Sequence, residues 1–535
     1  MTVPGPTGPT TPYRRPSRRL SFWRVALAVG IVLSLTGGSI AGWQWWTATR
    51  AVAAYAPWFA GYVDVTATPT YAFESPATSS LENVVLSFIV AATDDPCEPT
   101  WGAAYSLDAA STALDVDRRI ARLHQLGGSA TISFGGAIND ELAIGCTDAA
   151  QLASAYTRVI DRYQSSHIDL DIEGATLADK DAGERRALAI KTVQDKRMAA
   201  GGSLVVWLTL PVAPHGLTDD GQQAVEQLLA AGVDLAGVNL MTMEYGASKE
   251  PTASLADASI DALNAAHDQL MVLNTAAGIE MTDADLWSRM GATPMIGQNF
   301  TVDEVFGLTD ARELNAFAQE KQLGRMSMWS LNRDRTCSTN YVDLTQVSDS
   351  CSGVDQDGHI FADLLGAEFT ATPGMAPSPS GSQSAQATPQ PTSTRAPVIE
   401  DDPVTSPYPL WSAESFYPKN TKVVRHGNVY EAEWWSTGDV PDNAALSAFE
   451  SPWRLVGPVL ATDTPQVQIA LPEGSYPNWS ATDIYQATDR VLLDGVPFQA
   501  KWWNQAESPS ATALDGGTGP WRLLTGAEVT LQLGG

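Results

Sequence analysis

The chain has 535 residues, 44% hydrophobic and 17% charged, which is more than one core usually organises and does not suit a disordered chain. Its formal net charge of −29 argues against a nucleic-acid partner, because a phosphate backbone must be met by Lys and Arg. Seventeen Trp are many for this length, so the positions of these flat apolar faces matter.

Residues 1–24 hold Arg14, Arg15, Arg18, Arg19 and Arg24 and no acidic side chain, a basic tail. Residues 25–46 hold no charge and end in Trp43, Trp45 and Trp46. About 20 apolar residues cross a bilayer as a helix. Flanking arginines keep their side cytoplasmic, and tryptophans suit the opposite interface. The expectation is an N-terminal transmembrane helix, a single-pass signal anchor in the plasma membrane, with the rest of the chain on the extracellular side. A cleaved signal peptide is the rival reading, since Ser39-Ile40-Ala41 could be cut and the protein secreted. Four cysteines, an even number, suit an exported chain. Close spacing pairs Cys337 with Cys351 and leaves Cys97 for Cys146. No C-x-x-C pair or nearby His accompanies them, so no metal is expected, and no cofactor.

Between residues 55 and 368, short apolar runs alternate with helical stretches. Candidate strands are 60–65, 83–90, 130–134, 167–172, 204–210, 237–243, 293–298 and 325–330, near-continuously apolar as strands buried on both faces should be. Helical periodicity marks 115–125, 150–163 and 221–231. Eight β–α units in this length give an α/β chain folded as a (β/α)8 TIM barrel. A doubly wound sheet satisfies the same periodicity.

Residues 369–406 are dominated by Pro, Ser, Thr, Gln and Ala and read as a disordered, extended linker, which would let the C-terminal part of the chain act independently. An internal repeat comes next. Trp411, Tyr417, Val423, Gly427, Tyr430, Ala432, Trp434, Trp435, Pro452, Trp453 and Arg454 recur at one offset as Trp479, Tyr485, Val491, Gly495, Phe498, Ala500, Trp502, Trp503, Pro520, Trp521 and Arg522. Such regularity implies two small all-β modules, at 407–460 and 475–528.

The chemistry concentrates at Ser166-His167-Ile168-Asp169-Leu170-Asp171-Ile172-Glu173. On a strand, Asp169, Asp171 and Glu173 share one face, with Leu170 and Ile172 on the other. In a barrel that face is the interior, and the run ends at the mouth where active sites are built. Three crowded carboxylates cannot all ionise cheaply, which is how an acid stays protonated near neutral pH. A metal site or a solvated edge strand is the bland alternative.

This run resembles the Asp-x-x-Asp-x-Asp-x-Glu motif of the family 18 glycoside hydrolases, the chitinases and their relatives, with Ser166 in place of the first Asp. Ser133-Phe134-Gly135-Gly136 resembles the family's Ser-x-Gly-Gly, and Met241-Thr242-Met243-Glu244 lies where it has Met-x-Tyr-Asp. The resemblance implies Glu173 as general acid, Asp171 as the residue that orients the substrate's acetamido group, and Asp169 sharing a proton with Asp171. It further implies substrate contacts from Tyr62, Ser133, Gly135, Gly136, Met241, Glu244, Tyr245, Gln298 and Trp329. The repeats resemble chitin-binding modules of carbohydrate-binding families 5 and 12. Trp411, Tyr417, Trp434, Trp435, Trp479, Tyr485, Trp502 and Trp503 are then the expected sugar contacts. Together these imply a chitinase that hydrolyses β-1,4 bonds between N-acetylglucosamine units by substrate-assisted retaining catalysis. Other N-acetylglucosamine glycans (peptidoglycan, N-glycans) and inactive chitin binding stay open.

Overall fold

Apolar runs flanked by helices can pair in parallel only where both faces are covered, and a closed barrel meets that condition. The computed structural model describes residues 56–373 except 342, and 401–524 except 403–405, 414, 444–449, 465–474, 494–495 and 510–518. The basic and apolar segments at 1–24 and 25–46, and most of the linker, lie outside these residues. Among the described residues no helix is long and apolar enough to cross a membrane.

The barrel strands are β1 (Trp58–Phe59) and β2 (Gly61–Asp64), which form one bent strand, then β3 (Asn83–Ala91), β4 (Ser129–Gly135), β5 (His167–Asp171), β6 (Val205–Ala213), β7 (Leu235–Met241) and β8 (Met290–Ala292). A small hairpin, β9 (Gly297–Gln298) and β10 (Val305–Phe306), precedes the last barrel strand, β11 (Arg325–Met326). The ladder runs β2–β3–β4–β5–β6–β7–β8–β11–β1, all parallel. Trp58 lies opposite Arg325 and Gly61 opposite Val84, so the sheet closes on itself. An open doubly wound sheet is thereby excluded. The main helices are α1 (Val116–Gln125), α2 (Ala149–Arg162), α3 (Lys180–Ala199), α4 (Asp219–Ala230), α5 (Leu255–Ala276) and α6 (Leu308–Lys321).

Alternation sorts the side chains into two cores. Ile168, Leu170, Ile172, Val206 and Leu208 face the helices in the outer core. Trp58, Ala60, Tyr62, Val85, Trp207 and Ala236 fill the inside. One strand departs from expectation. The seventh is Met290–Ala292, ahead of the run at 293–298. Pro294 has no N–H for a ladder, and Gly297, at φ +70°, turns the chain into the antiparallel hairpin. Both disulfides, Cys97–Cys146 and Cys337–Cys351, pair as the spacing predicts.

The two repeats fold alike. In each, the tyrosine packs edge-on against the late tryptophan, Tyr417 on Trp453 at 5.1 Å and Tyr485 on Trp521 at 4.9 Å. The first repeat is not an independent body. Its strand Trp453–Pro458 lies against α1. Arg118 on α1 holds Asp463 through two bonds of 2.8 and 3.0 Å and the Pro458 carbonyl at 2.6 Å. Lys422 pairs with Asp115, and Arg454 reaches Glu74 at 2.8 Å. Linker composition cannot report such contacts, because they are made by side chains of the folded parts on either side.

Candidate active site

Strand β5 carries its carboxylates inward because its other face, Ile168, Leu170 and Ile172, belongs to the outer core. Asp169 sits deepest and is fully buried. Its Oδ2 accepts from the Tyr62 hydroxyl at 2.8 Å and from Ser133 Oγ at 2.7 Å. Its Oδ1 accepts from Thr209 Oγ1 at 2.7 Å and from the Arg325 guanidinium at 2.7 Å. Four donors fill both oxygens, leaving no lone pair aimed at Asp171. The expectation that Asp169 and Asp171 share a proton is therefore corrected.

Arg325 is the residue that sequence reasoning missed. It is fully buried and also donates to the Tyr62 hydroxyl at 3.1 Å. The rings of Trp58, Tyr62 and Trp207 surround its guanidinium at 5.2–5.6 Å. The signal was present, as an arginine opening an otherwise apolar barrel strand, and buried charges need partners. Thr209, Asn239 and Thr293 continue the polar layer, with Asn239 donating to Thr209 at 3.0 Å and to Thr293 at 2.7 Å.

Asp171, one step nearer the mouth, is also buried, and its Oδ1 has no hydrogen-bond partner. Burial, then the neighbouring Glu173 and Asp169 carboxylates, push its pKa well up, while Arg325 opposes them. Glu173 follows at the strand end and is half-buried. Burial raises its pKa to about 7. The column thus changes from a fully satisfied carboxylate below to two carboxyl groups of raised pKa at the mouth.

The glycine pair has a steric reason. Gly135 and Gly136 have φ of +107° and +90°. A Cβ on Gly135 would lie 2.0 Å from the Asp171 carbonyl oxygen, and one on Gly136 would lie 2.6 Å from the Phe88 ring. The Gly136 N–H donates to that Asp171 carbonyl at 2.9 Å. Trp329 is half-buried at the mouth and stacks on Phe88, with centroids 5.6 Å apart and planes 13° apart.

Several expected substrate contacts have other partners. Tyr62 and Ser133 are buried and bound to Asp169. Tyr245 lies in the outer core, its hydroxyl on Ser259 of α5 at 3.2 Å. Glu244 accepts from the backbone N–H groups of Phe300 at 2.5 Å and Thr301 at 3.1 Å. The Gln298 amide donates to the Asn299 and Val302 carbonyls at 2.9 and 3.0 Å, tying the same hairpin. Met241, half-exposed at the end of β7, remains beside the mouth. In the modules, Tyr417 and Tyr485 are core residues whose hydroxyls accept from Ser412 and Ser480 N–H, both at 2.7 Å. Trp411 and Trp479 pack on those cores with buried indole nitrogens. Trp434, Trp502 and Trp503 are exposed.

The catalytic domain of a hyperthermophilic chitinase from Pyrococcus furiosus has a similar structure, with a TM-score of 0.50 and 27% identity, over 58% of this chain and 94% of that one. A probable bifunctional chitinase/lysozyme of Escherichia coli is 36% identical over 289 residues, 53% of this chain and 31% of that protein. Endochitinase 11 of Metarhizium anisopliae is 35% identical over 283 residues, 52% of each. In sequence and in fold the barrel is similar to these chitinases. No profile of a known protein family matches the chain. The chain spans about a third to a half of these curated relatives, so the chitinase likeness describes the barrel and leaves the modules to be read from their own residues.

Proposed function

We propose that this chitinase-like barrel hydrolyses β-1,4 bonds between N-acetylglucosamine units with retention of configuration. The reading rests above all on Glu173, a carboxyl at the mouth whose pKa of about 7 keeps its proton near neutral pH, next to buried Asp171. Glu173 protonates the glycosidic oxygen as the bond to the anomeric carbon breaks. Asp171 neighbours Glu173 on one strand and cannot attack the opposite face of the sugar. The substrate's own acetamido oxygen does so and closes an oxazolinium ring. The Asp171 carboxylate orients the acetamide N–H and balances the positive charge. Glu173 then takes a proton from water, which opens the ring and leaves the β anomer. Trp329 would floor the subsite beside the cleaved bond.

The modules would hold the polymer through their exposed tryptophans. The cysteine pairs favour an exported protein, with the apolar segment at 25–46 as its membrane anchor. A second reading, peptidoglycan hydrolysis, draws on the name of the bacterial relative, a chitinase/lysozyme. Side-by-side hydrolysis of chitin oligosaccharides, chitosan and peptidoglycan tests these readings. The first-formed product, followed by NMR, should be the β anomer, and fully deacetylated chitosan should survive. Initial α anomer, or rapid chitosan cleavage, would rule the mechanism out.

A further inference from the structure

The tandem modules share a core but not a surface. Phe416 of the first module is buried in a cluster otherwise made by the second, namely Tyr485, Val491, Phe498, Ala500 and Trp521. Its ring stacks on Phe498 at 5.6 Å with planes 13° apart. Trp435 packs against the same cluster, and its indole nitrogen is buried. The repeat maps Phe416 and Trp435 onto Ile484 and Trp503. Those two are 56% and 55% exposed. The surface that the first module uses to hold the second is thus presented bare by the second.

A further copy of the chain cannot cover this surface by the same contact. The complement of the Phe416–Trp435 patch is the face around Phe498, and in the second module Phe416 already occupies it. In the first module the matching residue is Tyr430. It is buried, on a strand whose neighbour Trp453–Pro458 is seated on α1. A Cβ on Gly457 there would lie 2.6 Å from the Arg118 carbonyl. Neither module has a free complement. An exposed, flat indole on the same face as an aliphatic side chain matches the apolar face of a pyranose ring.

We propose that the modules are unequal: the first is a connector that uses Phe416 and Trp435 to fix the second, and the Ile484–Trp503 face of the second takes the sugar rings of the polymer. Trp434 and Trp502 are similarly exposed in the two copies, at 44% and 47%, so Trp435 and Trp503 carry the difference. The proposal rests on the chitinase reading for its ligand class.

The test measures binding of the full chain to chitin particles in the cold, with cleavage of soluble chitin oligosaccharides as a parallel readout. Trp503→Ala should weaken particle binding about tenfold, the scale of one lost aromatic stack, and leave cleavage of soluble oligosaccharides unchanged. Trp503→Phe should recover part of that loss. Trp435→Ala should keep particle binding within about twofold while making the segment between the modules more sensitive to protease. Equal losses from Trp435→Ala and Trp503→Ala, or none from Trp503→Ala, would overturn the inequality. A wild-type chain that cleaves soluble oligosaccharides but ignores particles would sink this proposal and leave the catalytic reading standing. Failure of cleavage with intact particle binding would do the reverse.

Discussion

Asp169 and Asp171 are two residues apart on one strand and both buried, yet their surroundings separate their roles. Asp169 is tied by four donors, one of them the buried Arg325, and serves as the foundation of the column. Removing one member of a buried ion pair costs about 3–5 kcal/mol because the other charge is left uncompensated. Arg325→Met and Asp169→Asn should each lower the unfolding free energy on that scale. The double variant should cost less than the sum, and urea unfolding of all four proteins measures the coupling. An additive result would mean that the pair does not interact as the geometry requires. Glu173 belongs to the same scale. Glu173→Gln should lower kcat about 10²–10⁴-fold with the fold intact, since the amide cannot donate an acidic proton. Its pKa of about 7 sets the pH dependence. The acid must be protonated, so kcat/KM should be sustained below that value and fall as pH rises through it. A basic limb that starts two units higher or lower would contradict the assignment.

At the scale of elements, two turns hold the mouth in shape. Gly135 ends β4 against the Asp171 carbonyl, so Gly135→Ala must displace the peptide that carries the catalytic strand. Crystallography of that variant should show β5 shifted at Asp171, and kcat should drop more than KM rises. Unchanged kinetics would mean that the close approach is relieved elsewhere. The β9–β10 hairpin is the other device. Glu244, itself at φ +54°, accepts two backbone N–H groups at its tip, and Gln298 ties three carbonyls within it. Glu244→Ala should speed hydrogen exchange at the Phe300 and Thr301 amides without unfolding the barrel. Protection equal to wild type would show that the hairpin does not depend on Glu244.

For the molecule as a whole, the first module is joined to the barrel by charge. Glu74 is fully buried between Arg119 of α1 and Arg454 of the module, 2.8 Å from each. Hydrogen bonds to charged groups contribute about 1.5–3 kcal/mol. Arg454→Met should therefore destabilise by that order, and calorimetry should show the module and barrel melting less cooperatively. A single unchanged transition would argue that apolar contacts carry the junction. Because Glu74 is fully buried while Arg454 is only partly exposed, added salt should affect this pair less than it affects exposed pairs such as Arg158 with Glu98.

The residue order alone determined the alternating β–α units, the two repeats, both disulfides and the inward column of Asp169, Asp171 and Glu173. Each of these follows from local periodicity, a fixed offset or the two-residue alternation of a strand, which neighbouring positions encode. Closure into a barrel was decided by the pairing of the first strand with the last. Nor did residue order determine what each side chain meets across the fold. Arg325 reaches Asp169 from the far end of the barrel sequence, 156 positions away. Tyr245 and Glu244 adjoin in the chain, yet one faces α5 and the other the hairpin. Tyr417 and Tyr485 read as sugar platforms and are core, since a small module must bury its largest rings to have a core at all. The inequality of Trp435 and Trp503 is the plainest case. The repeat makes them equivalent, and only the seating of the second module on the first covers one and leaves the other bare.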